Sequence, residues 1–267
     1  MADKEGDQMI PKLLRFDEKN FLSTCVGNTR RYLSLAGIEK LVIGASTGLD
    51  STTSLYLARE IVGVNNVLAV HLPHHEHDRS SDEYNRICDD IGLSNRYIDD
   101  IRPMLDAWQK KGNTIQMTNM VSRVQRAVIL DYSHKLDAMV FGTLNRTEYE
   151  LGEFPIYALD ASIQPLRVLF KTQVRHFAGY LGAPEYIQDR MPTIDTWLGK
   201  TDQIMRTRIV NIGLPIVDQI LRCHLDLRED HDTISKRGFS CDDVEFVIHM
   251  HEKNKFKQTI PYIPAGL

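Results

Sequence analysis

The densest chemistry in the chain lies in the stretch Ser46-Thr47-Gly48-Leu49-Asp50-Ser51-Thr52. It follows the apolar run Leu41-Val42-Ile43 and leads into residues with good helix propensity. At a strand-to-helix junction of this kind the first N–H groups of the helix lack partners and sit at the positive end of its dipole. Small residues there let an anion such as a phosphate approach the backbone. Ser46, Ser51 and Thr52 add hydroxyl donors, and Asp50 is placed to hold a metal ion that offsets phosphate charge. The Gly-Lys-Ser/Thr ending of a Walker loop is absent, so that class of phosphate loop is excluded. Taken alone, the stretch suits equally well an ordinary turn with a Ser/Thr cap and an acidic first helical turn.

The surrounding pattern indicates what would carry these residues. Asp17 can cap a helix with apolar residues Phe21, Leu22, Cys25, Val26, Leu33 and Leu35 at roughly helical spacing. Leu41 to Ile43 reads as a buried strand, Ser51 to Ile61 as a helix stopped by Gly63, and Val67 to Leu72 as a second buried strand stopped by Pro73. Further helices are expected over Asp82 to Ile91, Val121 to Leu136, Lys171 to Leu181 and Asp242 to Lys253. Strands are expected at Arg96-Tyr97-Ile98 and Ala138 to Gly142. Strands alternating with helices imply right-handed crossovers and an α/β fold, a doubly wound parallel sheet covered on both faces. Arg190 to Thr207 mixes Pro, Thr, Asp and Gly, and reads as a mobile loop over a site.

Composition bounds the function. The 267 residues, 42% hydrophobic and 25% charged, describe a globular chain able to bury a core without metal or disulfide staples. A formal charge of −4 offers no bulk attraction for nucleic acid or an acidic membrane. The four cysteines are far apart and form no CxxC pair, apolar runs fall short of a membrane span, and the N-terminus has no signal-like core. A cytoplasmic protein is expected. His71, His74, His75 and His77 lie near Glu76 and Asp78, but alternation along an extended segment would splay them, so they read as a polar loop.

Several segments together resemble a known family. Ser-x-Gly-x-Asp-Ser after a strand looks like the pyrophosphate loop of the N-type ATP pyrophosphatases. Gly142-Thr143-Leu144-Asn145-Arg146-Thr147-Glu148 resembles the Gly-Thr-x-Asn-x-x-Glu segment of the NAD synthetases. Leu72-Pro73-His74, Phe170 to Arg175, Tyr180 to Pro184 and Pro192-Thr193 follow in that family's order, so the resemblance covers about residues 20 to 262.

The resemblance implies that Ser46, Thr47, Gly48, Asp50, Ser51 and Thr52 hold the phosphates of ATP, with Thr143 lining the ATP site and Lys171 contacting a phosphate. Asp50 and Glu148 would share Mg2+, and the catalytic residues would be Asp50, Glu148 and Lys171. Substrate contacts would come from Arg123, Tyr157, Asp160 and Lys257. Read without the resemblance, Lys171 is equally a solvated lysine at a helix start, and Glu148 an acid in a first turn. The implied reaction is that of an ammonia-dependent ligase: ATP adenylates a carboxylate, most simply that of deamido-NAD, and ammonia displaces AMP. A homodimer is implied, with the whole chain as one domain and no room for a glutaminase. A paralogue acting on another carboxylate, and a non-catalytic nucleotide binder, are the alternative readings.

The departures from the family pattern are specific. Thr47 stands where the loop usually has glycine, His71 where the family has arginine, Tyr157 to Ser162 replaces a glycine-rich acidic segment, and Phe256-Lys257-Gln258 replaces His-Lys-Arg. The nucleotide side is better kept than the substrate side.

Overall fold

The computed structural model describes residues 10–74, 80–108, 114–158, 161–190 and 200–259. Among the described residues four parallel strands form the sheet: β1 (Lys40–Gly44), β2 (Val67–His71), β3 (Arg96–Ile98) and β4 (Ala138–Val140), in the order β3-β2-β1-β4. Leu41 pairs with Val67 on one side of β1 and with Met139 on the other. The chain therefore winds outward from β1 through β2 to β3 and then returns to the opposite side of β1. In a doubly wound sheet the crevice at that reversal, beyond the strands' C-terminal ends, is where ligands bind. The loops leaving β1 and β4 flank it.

Alternation along β1 feeds two cores. Leu41 and Ile43 join a cluster under α1 (Glu18–Ala36), α2 (Leu49–Val62), α3 (Ser80–Ile91), α7 (Lys171–Tyr180) and α8 (Glu185–Gln188). Val42, with Leu68 and Val70, faces Leu105 of α4 (Arg102–Trp108) and Val128 and Ile129 of α5 (Thr114–Lys135). A third cluster gathers α6 (Arg146–Leu151) with α9 (Lys200–Ile212), α10 (Leu214–Leu225), α11 (His231–Ser235) and α12 (Cys241–Asn254) around Leu151, Phe170, Val217 and Val247. Among the described residues, no helix is long and apolar enough to cross a membrane.

Asp17 accepts a hydrogen bond from Asn20 N at 2.8 Å, as its cap position predicts, and Gly37 closes α1 in the left-handed conformation. One expectation fails in part. The loop expected to run to Thr207 gives way to α9 from Lys200 onward, while 191–199 lie outside the described residues. The reason is compositional: Lys200–Ile212 contains neither Pro nor Gly, and Met205, Ile209 and Ile212 recur at helical spacing and join the third core.

Candidate functional site

The two loops at the reversal of the sheet bring the chemistry together. After β1 the chain turns through Ser46, Thr47 and Gly48 into α2, whose first turn carries Asp50 and Ser51. Ser51 Oγ donates to Gly48 O at 3.1 Å and lies 3.2 Å from Ser46 Oγ, while Gly48 N approaches Ser46 Oγ at 3.4 Å. The Thr52 hydroxyl is buried with no partner among the described residues. Thr47 has φ of 63°, a left-handed conformation that costs a β-branched residue about 1–3 kcal/mol.

After β4 the chain passes Gly142 into α6. A Cβ on Gly142 would lie 2.9 Å from Ala161 Cβ, so this turn needs glycine for close approach. Asn145 caps α6 by accepting from Glu148 N at 2.9 Å, and its Nδ2 donates to Asp50 Oδ1 at 3.3 Å. One side chain thus links the two loops. Lys171, the first residue of α7, donates to Asp50 Oδ2.

These groups line a cavity of about 220 Å³ with Gly48 and Leu49 on one side, Glu153, Arg190 and Arg206 as further charged groups, and Ile209, Val210 and Leu214 as an apolar wall. Burial, and then the Asp50 carboxylate, push the Glu148 carboxyl up to about 7, with Lys171 opposing. Burial also raises Glu153, against the pull of Arg206, whose Nε lies 4.0 Å away. Burial alone would lower the Lys171 ammonium, but Asp50 and Glu148 outweigh it and the net shift is upward. Arg190 is paired with Glu83 and Arg206 lies beside Glu153, so Asp50 and Glu148 have Lys171 alone between them, a setting that suits a further cation.

Asp218, fully buried on α10, fixes this arrangement from behind. It accepts from Thr147 Oγ1 at 2.5 Å, Thr172 N at 2.8 Å and Thr172 Oγ1 at 2.6 Å. Thr147 Oγ1 in turn accepts from Lys171 N at 2.8 Å. Burial raises the Asp218 carboxyl to about 6 despite these donors, first Thr147 and then Thr172. Because Thr147 and Thr172 adjoin Glu148 and Lys171, one carboxylate sets the starts of both α6 and α7.

A family model described as NAD synthase matches residues 22–261. The chain belongs to this family. The NH3-dependent NAD+ synthetase of Thermococcus kodakarensis is 29% identical over 254 residues, covering 93% of this chain and 98% of that protein. Among solved structures, the NH3-dependent NAD synthetase of Campylobacter jejuni superposes with a TM-score of 0.76 at 22% identity, covering 94% of this chain and all of that one. The NMN synthetase of Francisella tularensis does so with the same TM-score at 23% identity, again over 94% of this chain. Those two likenesses speak for the fold, a Rossmann-like α/β arrangement of a parallel sheet flanked by helices.

Against this frame the expected site residues divide. Asp50, Glu148 and Lys171 converge at the cavity with Gly48, and Ser46 and Ser51 stand in the adjoining turn. Thr143 lies between β4 and α6 but does not line the cavity. Of the expected substrate residues, Arg123 is exposed on α5, Tyr157 is 61% exposed with φ of 64°, and Asp160 lies outside the described residues. Lys257 Nζ donates to Gly152 O at 2.6 Å and Phe154 O at 3.2 Å, so its charge serves the carbonyls just beyond α6. In the histidine run, residues 75 to 79 lie outside the described residues. His71 is tied to the backbone, its Nδ1 donating to Ala45 O at 2.7 Å and its Nε2 accepting from Ser80 Oγ at 2.6 Å.

Asn145, Thr147, Glu153, Arg190, Arg206 and Asp218 were not singled out from sequence for roles at the site. Asp218 had a visible signal, since it interrupts the otherwise apolar face of Leu214–Leu225. A charge on such a face needs buried partners.

Proposed function

We propose that the chain is an ATP-dependent ligase that adenylates the carboxylate of deamido-NAD and amidates it with ammonia, releasing AMP and pyrophosphate. The observation that carries this reading is the meeting of Asp50, Glu148 and Lys171 with the start of α2 at the reversal of the sheet. Free N–H groups at that start would receive phosphate oxygens, and Lys171 would add a positive charge where pyrophosphate departs.

Magnesium fits the donors present. Among the described residues no group of three acidic or His/Cys side chains could hold a metal. Mg2+ is commonly held by one or two carboxylates, its other positions filled by phosphate oxygens and water, which suits Asp50 and Glu148. When bound it would neutralise charge on the leaving pyrophosphate. Asn145 would orient Asp50 for that role, and the sharing of Lys171 between two carboxylates supports it. The carboxylate oxygen attacks the α-phosphorus as pyrophosphate leaves. Ammonia then attacks the acyl carbon, AMP leaves, and the nitrogen gives up a proton. The apolar wall of Ile209, Val210 and Leu214 would keep water from the activated acyl group.

A cytoplasmic homodimer completes the reading. Incubation with ATP, magnesium, ammonium and deamido-NAD should yield AMP, pyrophosphate and NAD in equal amounts. ADP as the nucleotide product would overturn the proposal.

A further inference from the structure

Two departures from the family pattern, Thr47 and His71, meet on one helix end. The first turn of α3 reaches the pyrophosphate loop along two parallel routes. In one, Ser80 Oγ donates to His71 Nε2 and His71 Nδ1 donates to Ala45 O, at 2.6 and 2.7 Å. In the other, Glu83 accepts both Arg190 Nη1 at 2.8 Å and Nη2 at 2.9 Å, and Arg190 Nη1 also donates to Thr47 O at 2.5 Å. The same nitrogen lies 3.4 Å from Thr47 Oγ1. The two carbonyls so held flank Ser46. His71 is 3% exposed and stacks on the Tyr84 ring at 5.0 Å, so that route is anchored in the core.

The geometry points to Arg190 and Glu83 as positioning residues for the pyrophosphate loop, a clamp that holds the left-handed turn this chain makes with threonine in place of glycine. The role rests on the reading of the loop as an ATP-phosphate site. A threonine resists φ of 63°, so left alone the turn relaxes toward an extended backbone and carries Gly48 and Asp50 out of register. A bidentate guanidinium–carboxylate pair has fixed orientation, and spending one of its N–H groups on Thr47 O pins the peptide in the strained state. Arg190 also lines the cavity, so its pairing with Glu83 decides whether it holds the loop or faces the ligand. The structure has it holding the loop.

A mutant cycle tests this. Arg190→Gln and Glu83→Gln should each raise KM for ATP by about tenfold, the worth of one charge-assisted hydrogen bond, with kcat changed far less. Glycine tolerates the turn unaided, so Thr47→Gly introduced into either variant should recover most of the lost KM. If Arg190 instead served as a direct phosphate contact, Glu83→Gln would free it and lower KM, and Thr47→Gly would rescue nothing. Either result overturns the clamp. Melting temperatures of the same variants supply a readout independent of turnover. Arg190→Gln should lower the melting temperature of the threonine chain more than that of the Thr47→Gly chain, and equal losses in both overturn the inference even if the protein proves to act on another substrate.

Discussion

Replacing Glu148 by glutamine and following the stability of metal-free protein against pH isolates the electrostatics of the site. Burial and the neighbouring Asp50 lift the Glu148 carboxyl from 4.5 to about 7. Between those values the folded chain binds a proton that the unfolded chain releases. Stability contributed by the protonated group is therefore complete below about pH 4.5 and is lost as pH rises through about 7. At about 1.4 kcal/mol per pH unit the displacement corresponds to a loss of about 3 kcal/mol by pH 8. Glutamine cannot ionise and escapes the loss. Asp218, also raised, to about 6, is present in both proteins and cancels in the difference. For a chain of this size 1 kcal/mol moves the melting temperature by about 2–4 °C. Part of that loss has already occurred at pH 5, so in EDTA the melting temperature of Glu148→Gln relative to the parent should rise by about 5–10 °C between pH 5 and pH 8. Calorimetric or fluorescence melts at half-unit steps would trace the curve. Parallel profiles for the two proteins would refute the claim that a buried, charge-crowded carboxylate faces this cavity.

Asp218→Ala leaves the Thr147 hydroxyl and both Thr172 donors without their buried acceptor, at about 1–3 kcal/mol for each orphaned group; it should lower both the melting temperature and kcat, and an unaffected kcat would remove Asp218 from its positioning role. Lys171→Gln should reduce AMP formation at least about a hundredfold while circular dichroism stays that of the parent, a loss typical of removing one preorganised group. Ammonium, and not glutamine, should supply the nitrogen to the isolated chain, which amide assays with each donor would decide.

How much of this could be read from the sequence varies with the range of the interaction. β1 and β2 are short apolar runs ended by Gly44 and Pro73, and both were legible, as was the cap at Asp17, because their signals are local. α6 was legible only as a first turn around Glu148, since its six residues are too few to show a period. Asp50, Glu148 and Lys171 were legible as a set only through their likeness to family motifs, because Asp50 and Lys171 are 121 residues apart and nothing local joins them. The Arg190–Glu83 pair spans 107 residues and left no trace in spacing. Thr47 was legible as a misfit, but not what holds it. Lys257 shows the same limit: its place in a segment matching a substrate motif suggested a substrate contact, whereas nothing in the sequence signalled that its Nζ donates to Gly152 O and Phe154 O.

The outer strands of the sheet have a consequence for how the protein behaves in a crowded solution. β3 and β4 are three residues each, so each offers little unpaired backbone to a neighbouring molecule. The free side of β4 is moreover occupied: Ser162 N and Ile163 N both donate to Val140 O, and Gly142 N donates to Ile163 O at 2.8 Å. A segment that returns from α6 toward α7 thus covers the margin beside the site. On the other margin, Arg96 and Ile98 present charge and a short exposed tip, with Arg96 held by Asp89 at 2.5 Å. An open sheet is a template for strand addition, and here one margin is capped by the chain itself while the other is only three residues long and carries the charge of Arg96.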